Sequence, residues 1–399
     1  MNPAKEQFLK RLLAWFPVQP AGSLTLLLLG LTAATCFTLE SRAAEQKITL
    51  SPGEWEFQVD PDDQVFPSLC IATATMKVKH SSLIPIRLSS PADNCKVRAV
   101  VTAKGLMEES ATEQTVKSAG QTYEINTEIL WDFTALARIK QPQPANVTVE
   151  LFADGKSLGK KTKTVKVRSI NDCPFAVVTS KGVMPTPWMF AAYVNEDHPW
   201  VDSILKSALA SKQADSFTGY QRGNPQEVYR QVFAIWYVMQ QAGLKYSSIT
   251  KTSSQSPKVA SQHVRFLDEI VRNTQANCVD GSILFASILR KIDIEPFLVI
   301  VPGHCFVGFW MDSKKSNYAC LETTMMGSVD LKMVAVAAKG RASHDSFLKA
   351  MDAGNKYLAA QKEKHAKTKN MFDLMIVDID AFRKIGITPI AYQADSAKR

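Results

Sequence analysis

Asn277-Cys278-Val279-Asp280-Gly281-Ser282-Ile283-Leu284-Phe285-Ala286-Ser287-Ile288-Leu289 is the stretch on which the reading of this 399-residue chain turns. Apolar residues fall on nearly every side of it, the pattern of a buried helix. Asn277 suits the N-cap and Asp280 the third helical position, so Cys278 becomes the first helical residue. A thiol there faces the positive end of the helix dipole, which favours the thiolate, and the thiolate is the nucleophile.

Downstream, 297–301 and 304–310 are rich in β-branched and aromatic residues and flank Pro302-Gly303, the pattern of a hairpin. After the polar run 312–317 a third strand is expected near Tyr318, carrying Cys320, Leu321 and Glu322. Pairing His304 with Glu322 centres the second turn on residue 313, inside that polar run, so the register is self-consistent. The expected result is a thiol at a helix start, an imidazole on an adjoining strand and a carboxylate beside the imidazole. A cysteine nucleophile needs such a base to hold its thiolate and later protonate a leaving amine, and the base needs an acceptor to fix its tautomer.

Upstream, Asn224, Pro225, Glu227 and Gly243 mark both ends of a helix whose Val228, Val232, Ile235, Trp236 and Met239 share a core-facing side. A second helix is expected over 262–273, with Val264, Leu267 and Val271 inward.

The residues of 262–324 together resemble the core of the transglutaminase-like superfamily of papain-like cysteine enzymes. The matching positions are Asn277-Cys278-Val279-Asp280-Gly281 with the helix that follows, Gly303-His304 with Phe306-Val307, and Leu321-Glu322-Thr323-Thr324. The resemblance implies Cys278 as nucleophile, His304 as general base and acid, and Glu322 as the orienting acid, a place where the family usually has Asp. The backbone N–H of Cys278 would serve as one oxyanion donor, with Gln275 and Asn277 the nearest candidates for a second.

From 46 to 170 the periodicity changes to two. Trp55, Phe57 and Val59, then Val97, Ala99 and Val101, then Val147, Val149 and Leu151 alternate, and Asp154-Gly155 turns the last run back into Thr164 to Val167. Short strands with turn signals and almost no helical pattern predict an Ig-like β-sandwich over 44–172. The run Lys156, Lys160, Lys161, Lys163, Lys166 and Arg168 offers contact with anionic polymer or lipid, but its interleaving with strand residues favours lysine protection of an edge strand. The prolines around 171–200 read as a boundary and extended connector. The fold class is therefore α+β: the sandwich, then a transglutaminase-like domain over 173–399. That domain's tail should form a helix near 343–361 with Phe347, Leu348 and Met351 inward, a basic stretch 362–369 and a strand 374–379.

At the N-terminus Lys5, Lys10 and Arg11 precede an apolar segment at 24–39 and the small residues Ser41 and Ala43. That order reads as a signal peptide over 1–43 or, if uncleaved, an N-terminal anchor, and places the remainder in an exported compartment. Composition agrees with a globular body: 46% hydrophobic and 21% charged residues exclude a disordered or fibrous chain. A net charge of +9, mostly dispersed, argues against a dedicated nucleic-acid binder. Seven cysteines without a C-x-x-C pair argue against a disulfide scaffold or zinc module, and a zinc site from Cys278, His304, Cys305 and Cys320 has no usual ligand spacing. No cofactor is expected. In an oxidising compartment Cys70 with Cys95 is the expected bridge, whereas Cys305 and Cys320 should point to opposite faces of their strands. The sequence thus suggests an exported cysteine peptidase or amidase acting on a protein, peptide or peptidoglycan of the cell envelope. A non-catalytic envelope scaffold with a vestigial triad is the alternative.

Overall fold

The computed structural model describes residues 50–77, 82–179, 182–247, 256 and 258–390; the expected signal segment 1–43 lies outside them. The fold is α+β, with helices and several largely antiparallel sheets.

In the N-terminal part, Trp55–Phe57, Pro85–Ser89 and Thr122–Asn126 form a three-stranded antiparallel sheet. A second sheet runs in the order Gln64–Val65, Lys156–Val167, Gln143–Ala153, Cys95–Thr102, Ser110–Val116. Alternating residues of both sheets, among them Trp55, Ile86, Val97, Val149 and Val167, bury into one shared core. Lys161 and Lys163 lie over the rings of Trp55 and Phe57, so their stems cover that core along the edge of Lys156–Val167 that is paired only at its end, with Gln64–Val65. Cys70 and Cys95 are both buried, and neither they nor any other described cysteine is bridged, which corrects the expected disulfide; Cys70 and Cys95 each pack as a small apolar residue in this core.

The supposed connector is structured. Asp172–Thr179 is the centre of a three-stranded sheet between Gly182–Pro185 and Val259–His263. Pro174 has no N–H to give the ladder, and the register slips at its partner Ser261. Because Val259–His263 pairs in that sheet, the helix expected from 262 begins later, as Leu267–Asn273, where the Glu269 carboxylate accepts the Phe266 N–H at 2.9 Å.

The remaining body centres on the helix Cys278–Lys291 and a four-stranded antiparallel sheet ordered Tyr318–Leu321, His304–Trp310, Pro296–Val301, Met375–Asp378. One sheet face packs on that helix in the largest core, which Pro225–Ala242 also joins, and the other packs on the helix Lys339–Thr368 through Phe297, Phe306, Cys320 and Leu358. The long helix runs past both expected ends, because the basic stretch 362–369 continues it, helped by a Lys367–Glu363 pair at 2.7 Å one turn apart. Phe347 is buried on it, while Leu348 faces solvent rather than the core. The hairpin register also differs from expectation: Cys320 stands opposite Gly308 and Leu321 opposite Val307, two residues away from a His304–Glu322 pairing.

Candidate active site

The helix that presents Cys278 is fixed at its first turn. The Asn277 Oδ1 accepts the Asp280 N–H at 2.9 Å, and the Asp280 Oδ2 accepts the Asn277 N–H at 3.1 Å, a reciprocal capping box. Asp280 is fully buried and also receives the Arg265 N–H and the Arg265 Nη1, each at 2.9 Å. Its charge is therefore matched by a guanidinium and by two backbone N–H groups, an arrangement that locks the turn in place. Burial still raises the Asp280 pKa against these partners. The Ser282 hydroxyl donates to the Cys278 carbonyl at 2.6 Å. Cys278 itself remains partly accessible.

Gly281 sets how closely this helix approaches the segment bearing the carboxylate. A Cβ on Gly281 would lie 2.9 Å from Thr323 Oγ1 and 3.1 Å from Thr323 Cβ, so only glycine allows contact with the residue that follows Glu322.

His304 opens its strand directly after Gly303, which takes the left-handed φ of +74° in the preceding turn. Its Nε2 lies 2.6 Å from Glu322 Oε2. Glu322 is not on the strand as expected. The strand ends at Leu321, and Glu322 heads the 3₁₀ turn Thr323–Ser328, with its N–H donating to the Ala350 carbonyl of the long helix at 3.1 Å. Its second oxygen, Oε1, accepts the Thr324 N–H at 3.1 Å and the Thr324 hydroxyl at 2.6 Å. Thr324 thereby positions the carboxylate, a role the sequence did not reveal. Tyr357 of the long helix sets its ring edgewise against His304, centroids 5.5 Å apart.

Burial opposes charge on His304, but hydrogen bonds to Cys278 and Glu322 and the negative charge on both outweigh it, raising its pKa to about 9. Burial likewise opposes charge on Glu322, yet the bonds from His304 and Thr324 bring its pKa below the usual glutamate range. With Nε2 given to Glu322, Nδ1 is the ring nitrogen left for Cys278. The three expected residues therefore converge, and at neutral pH the sulfur faces an imidazolium and a helix N-terminus.

The two expected oxyanion residues fare differently. Asn277 spends its carbonyl oxygen on the cap and is buried, so its part is to hold the helix. Gln275 is exposed on the two-residue strand Gln275–Ala276. The N–H of Cys278, in the first turn, needs no intrahelical acceptor and is available.

Tyr246, which sequence reasoning missed, lies closer to the chemistry. Lys245–Tyr246 pairs in parallel with Gln275–Ala276, placing Tyr246 beside Ala276, two residues before Cys278. Lys245 also packs on Gly327 of the turn that follows Glu322. The Tyr246 phenol has a raised pKa, chiefly from burial, with Cys278 and Glu322 adding to it through their charge. Only the long-range pairing of two dipeptides reveals this neighbour, and no sequence motif marks it.

Cys305 lies in the core on the helix side of the sheet, and Cys320 lies on the opposite side. Burial, followed by the charge of Cys278, pushes the Cys305 thiol far up, so it stays protonated. Among the described residues no group of three or more His, Cys, Asp or Glu is placed to hold a metal. No family model matches the chain, and no curated protein matches it.

Proposed function

We propose that the chain is an exported cysteine enzyme of transglutaminase-like type, a peptidase or amidase whose Cys278 attacks an amide carbonyl. The observation that carries this reading is the convergence of Cys278, at a capped helix start, on a His304 whose other nitrogen is 2.6 Å from Glu322. In the proposed reaction the Cys278 thiolate adds to the carbonyl carbon. The resulting oxyanion takes hydrogen bonds from the Cys278 N–H and the Tyr246 hydroxyl. The C–N bond then breaks as the His304 imidazolium gives its proton to the leaving amine, leaving a thioester on Cys278. Neutral His304 next takes a proton from water as the water oxygen adds to the thioester carbon; the C–S bond then breaks, the carboxylic acid product leaves, and the Cys278 thiolate and His304 imidazolium are restored. Glu322 holds the imidazole in one tautomer throughout.

The same reading takes 44–172 as an Ig-like sandwich that carries no chemistry and 173–399 as the catalytic domain. With an export signal over 1–43, the substrate class is a protein, peptide or peptidoglycan stem of the cell envelope. The test is incubation of the mature protein and its Cys278→Ala variant with an envelope extract, followed by mass spectrometry. New amide cleavage confined to the wild type is the expected result. New cross-links would instead indicate transfer to an amine, and identical extracts would refute the enzymatic reading.

A further inference from the structure

Between the turn that follows Glu322 and the long helix, the chain reads Lys332-Met333-Val334-Ala335-Val336-Ala337-Ala338-Lys339-Gly340-Arg341. Six apolar residues in a row, 333–338, include none that is buried. Met333 and Val336 are 85% and 84% exposed, while the next large apolar side chain, Leu130, is 60% exposed. The projection is held from both sides: Leu331 is buried on one flank, and Ser343, Ser346 and Phe347 on the other. Exposed apolar side chains on a rigid support mark a contact surface rather than a packing accident.

We propose that this loop docks on an anionic lipid bilayer, with Met333 and Val336 entering the interface and Lys332, Lys339 and Arg341 meeting the headgroups. The charge arrangement selects this occupant. Three cations flank the apolar run in sequence, and the acidic residue at its root, Asp330, is already taken by Lys245 at 3.3 Å. Protein interfaces are centred on aromatic anchors and depleted in lysine and alanine, whereas 333–338 hold three alanines, no aromatic residue and a lysine on either flank. Among the described residues no helix is long and apolar enough to cross a membrane. The Lys245–Asp330 pair ties the loop to the strand that carries Tyr246, so docking brings the mouth of the Cys278 site to the membrane surface. The proposal does not depend on the chemistry of that site, and Cys278→Ala should dock like the wild type.

The test uses the full chain carrying Met333→Trp, read against the wild type to subtract its own seven tryptophans. The probes are vesicles of phosphatidylcholine alone or mixed with phosphatidylglycerol, with and without brominated acyl chains. The expected result is a blue shift and bromine quenching with the anionic vesicles only, reversed by NaCl because surface electrostatics are screened. Leu130→Trp serves as the control. Adding Met333→Asp and Val336→Asp to the unlabelled chain should lower binding to anionic vesicles roughly tenfold or more. Unchanged emission at Met333 overturns the proposal, as does equal quenching in the Leu130→Trp protein. A shift that follows protein concentration and ignores vesicles overturns it in favour of self-association.

Discussion

Replacing Glu322 by Gln keeps the size of the side chain and removes the charge that lies 2.6 Å from His304 Nε2. The rise of the His304 pKa from 6.5 to about 9 corresponds to ~3 kcal/mol of net preference for the imidazolium, supplied by Cys278 and Glu322 against burial. The folded state holds this proton more tightly than the unfolded chain. The associated stability is therefore complete below pH 6.5 and is lost as pH rises through about 9. If the two anionic partners contribute comparably, Glu322→Gln removes about 1–2 kcal/mol of this and lowers the His304 pKa by roughly one unit or more. Two measurements read the effect. NMR titration of the six histidines should show one wild-type resonance titrating near 9 that moves toward 6.5 in the variant. Urea unfolding of both proteins at about pH 6 and pH 9.5 should give a stability difference that shrinks at the higher pH. A wild-type His304 titrating near 6.5, or a difference between the proteins that is independent of pH, would refute the claim that an ion-paired His304 organises the site.

Three further outcomes are expected. Cys278 should react with iodoacetamide at neutral pH faster than a free model thiol, and His304→Ala should abolish the advantage; equal rates in both proteins would remove the basis for a thiolate. Tyr246→Phe should slow acylation of Cys278 by p-nitrophenyl acetate by about 10–100-fold while leaving iodoacetamide alkylation unchanged, because only acylation develops an oxyanion; parallel losses would show instead that Tyr246 supports the thiol. Gly281→Ala should destabilise the fold by about 1–3 kcal/mol in urea and slow Cys278 alkylation, since its Cβ forces Thr323, and with it Glu322, away from the helix; an unchanged midpoint would contradict the close approach.

The parts of this site that are local in sequence were legible, and the parts made by long-range pairing were not. Asn277 and Asp280 are a capping box three residues apart, so the start of the cysteine helix follows from chemistry within one turn. The polar composition of 312–317 places a turn there, but composition does not show how the loop closes. Asp312 accepts the N–H groups of Lys314, Ser316 and Asn317, and the Met311 N–H bonds to the Asn317 carbonyl. The strands consequently leave the loop as the pair Trp310 and Tyr318, which shifts the register by two residues. A two-residue shift keeps every side chain on its own face, which is why the expected separation of Cys305 from Cys320 survives. It does not keep partners: on an uninterrupted strand Glu322 would fall opposite Phe306. The chain instead leaves the strand at Leu321, and the Glu322 backbone is caught by Ala350 while Thr324 turns the carboxylate toward His304. A glutamate is suited to that diagonal reach, whereas a directly paired residue would need less. A glutamate at 322 thus has a geometric reason in the turn, one that depends on a helix beginning at Lys339 and is absent from the local sequence.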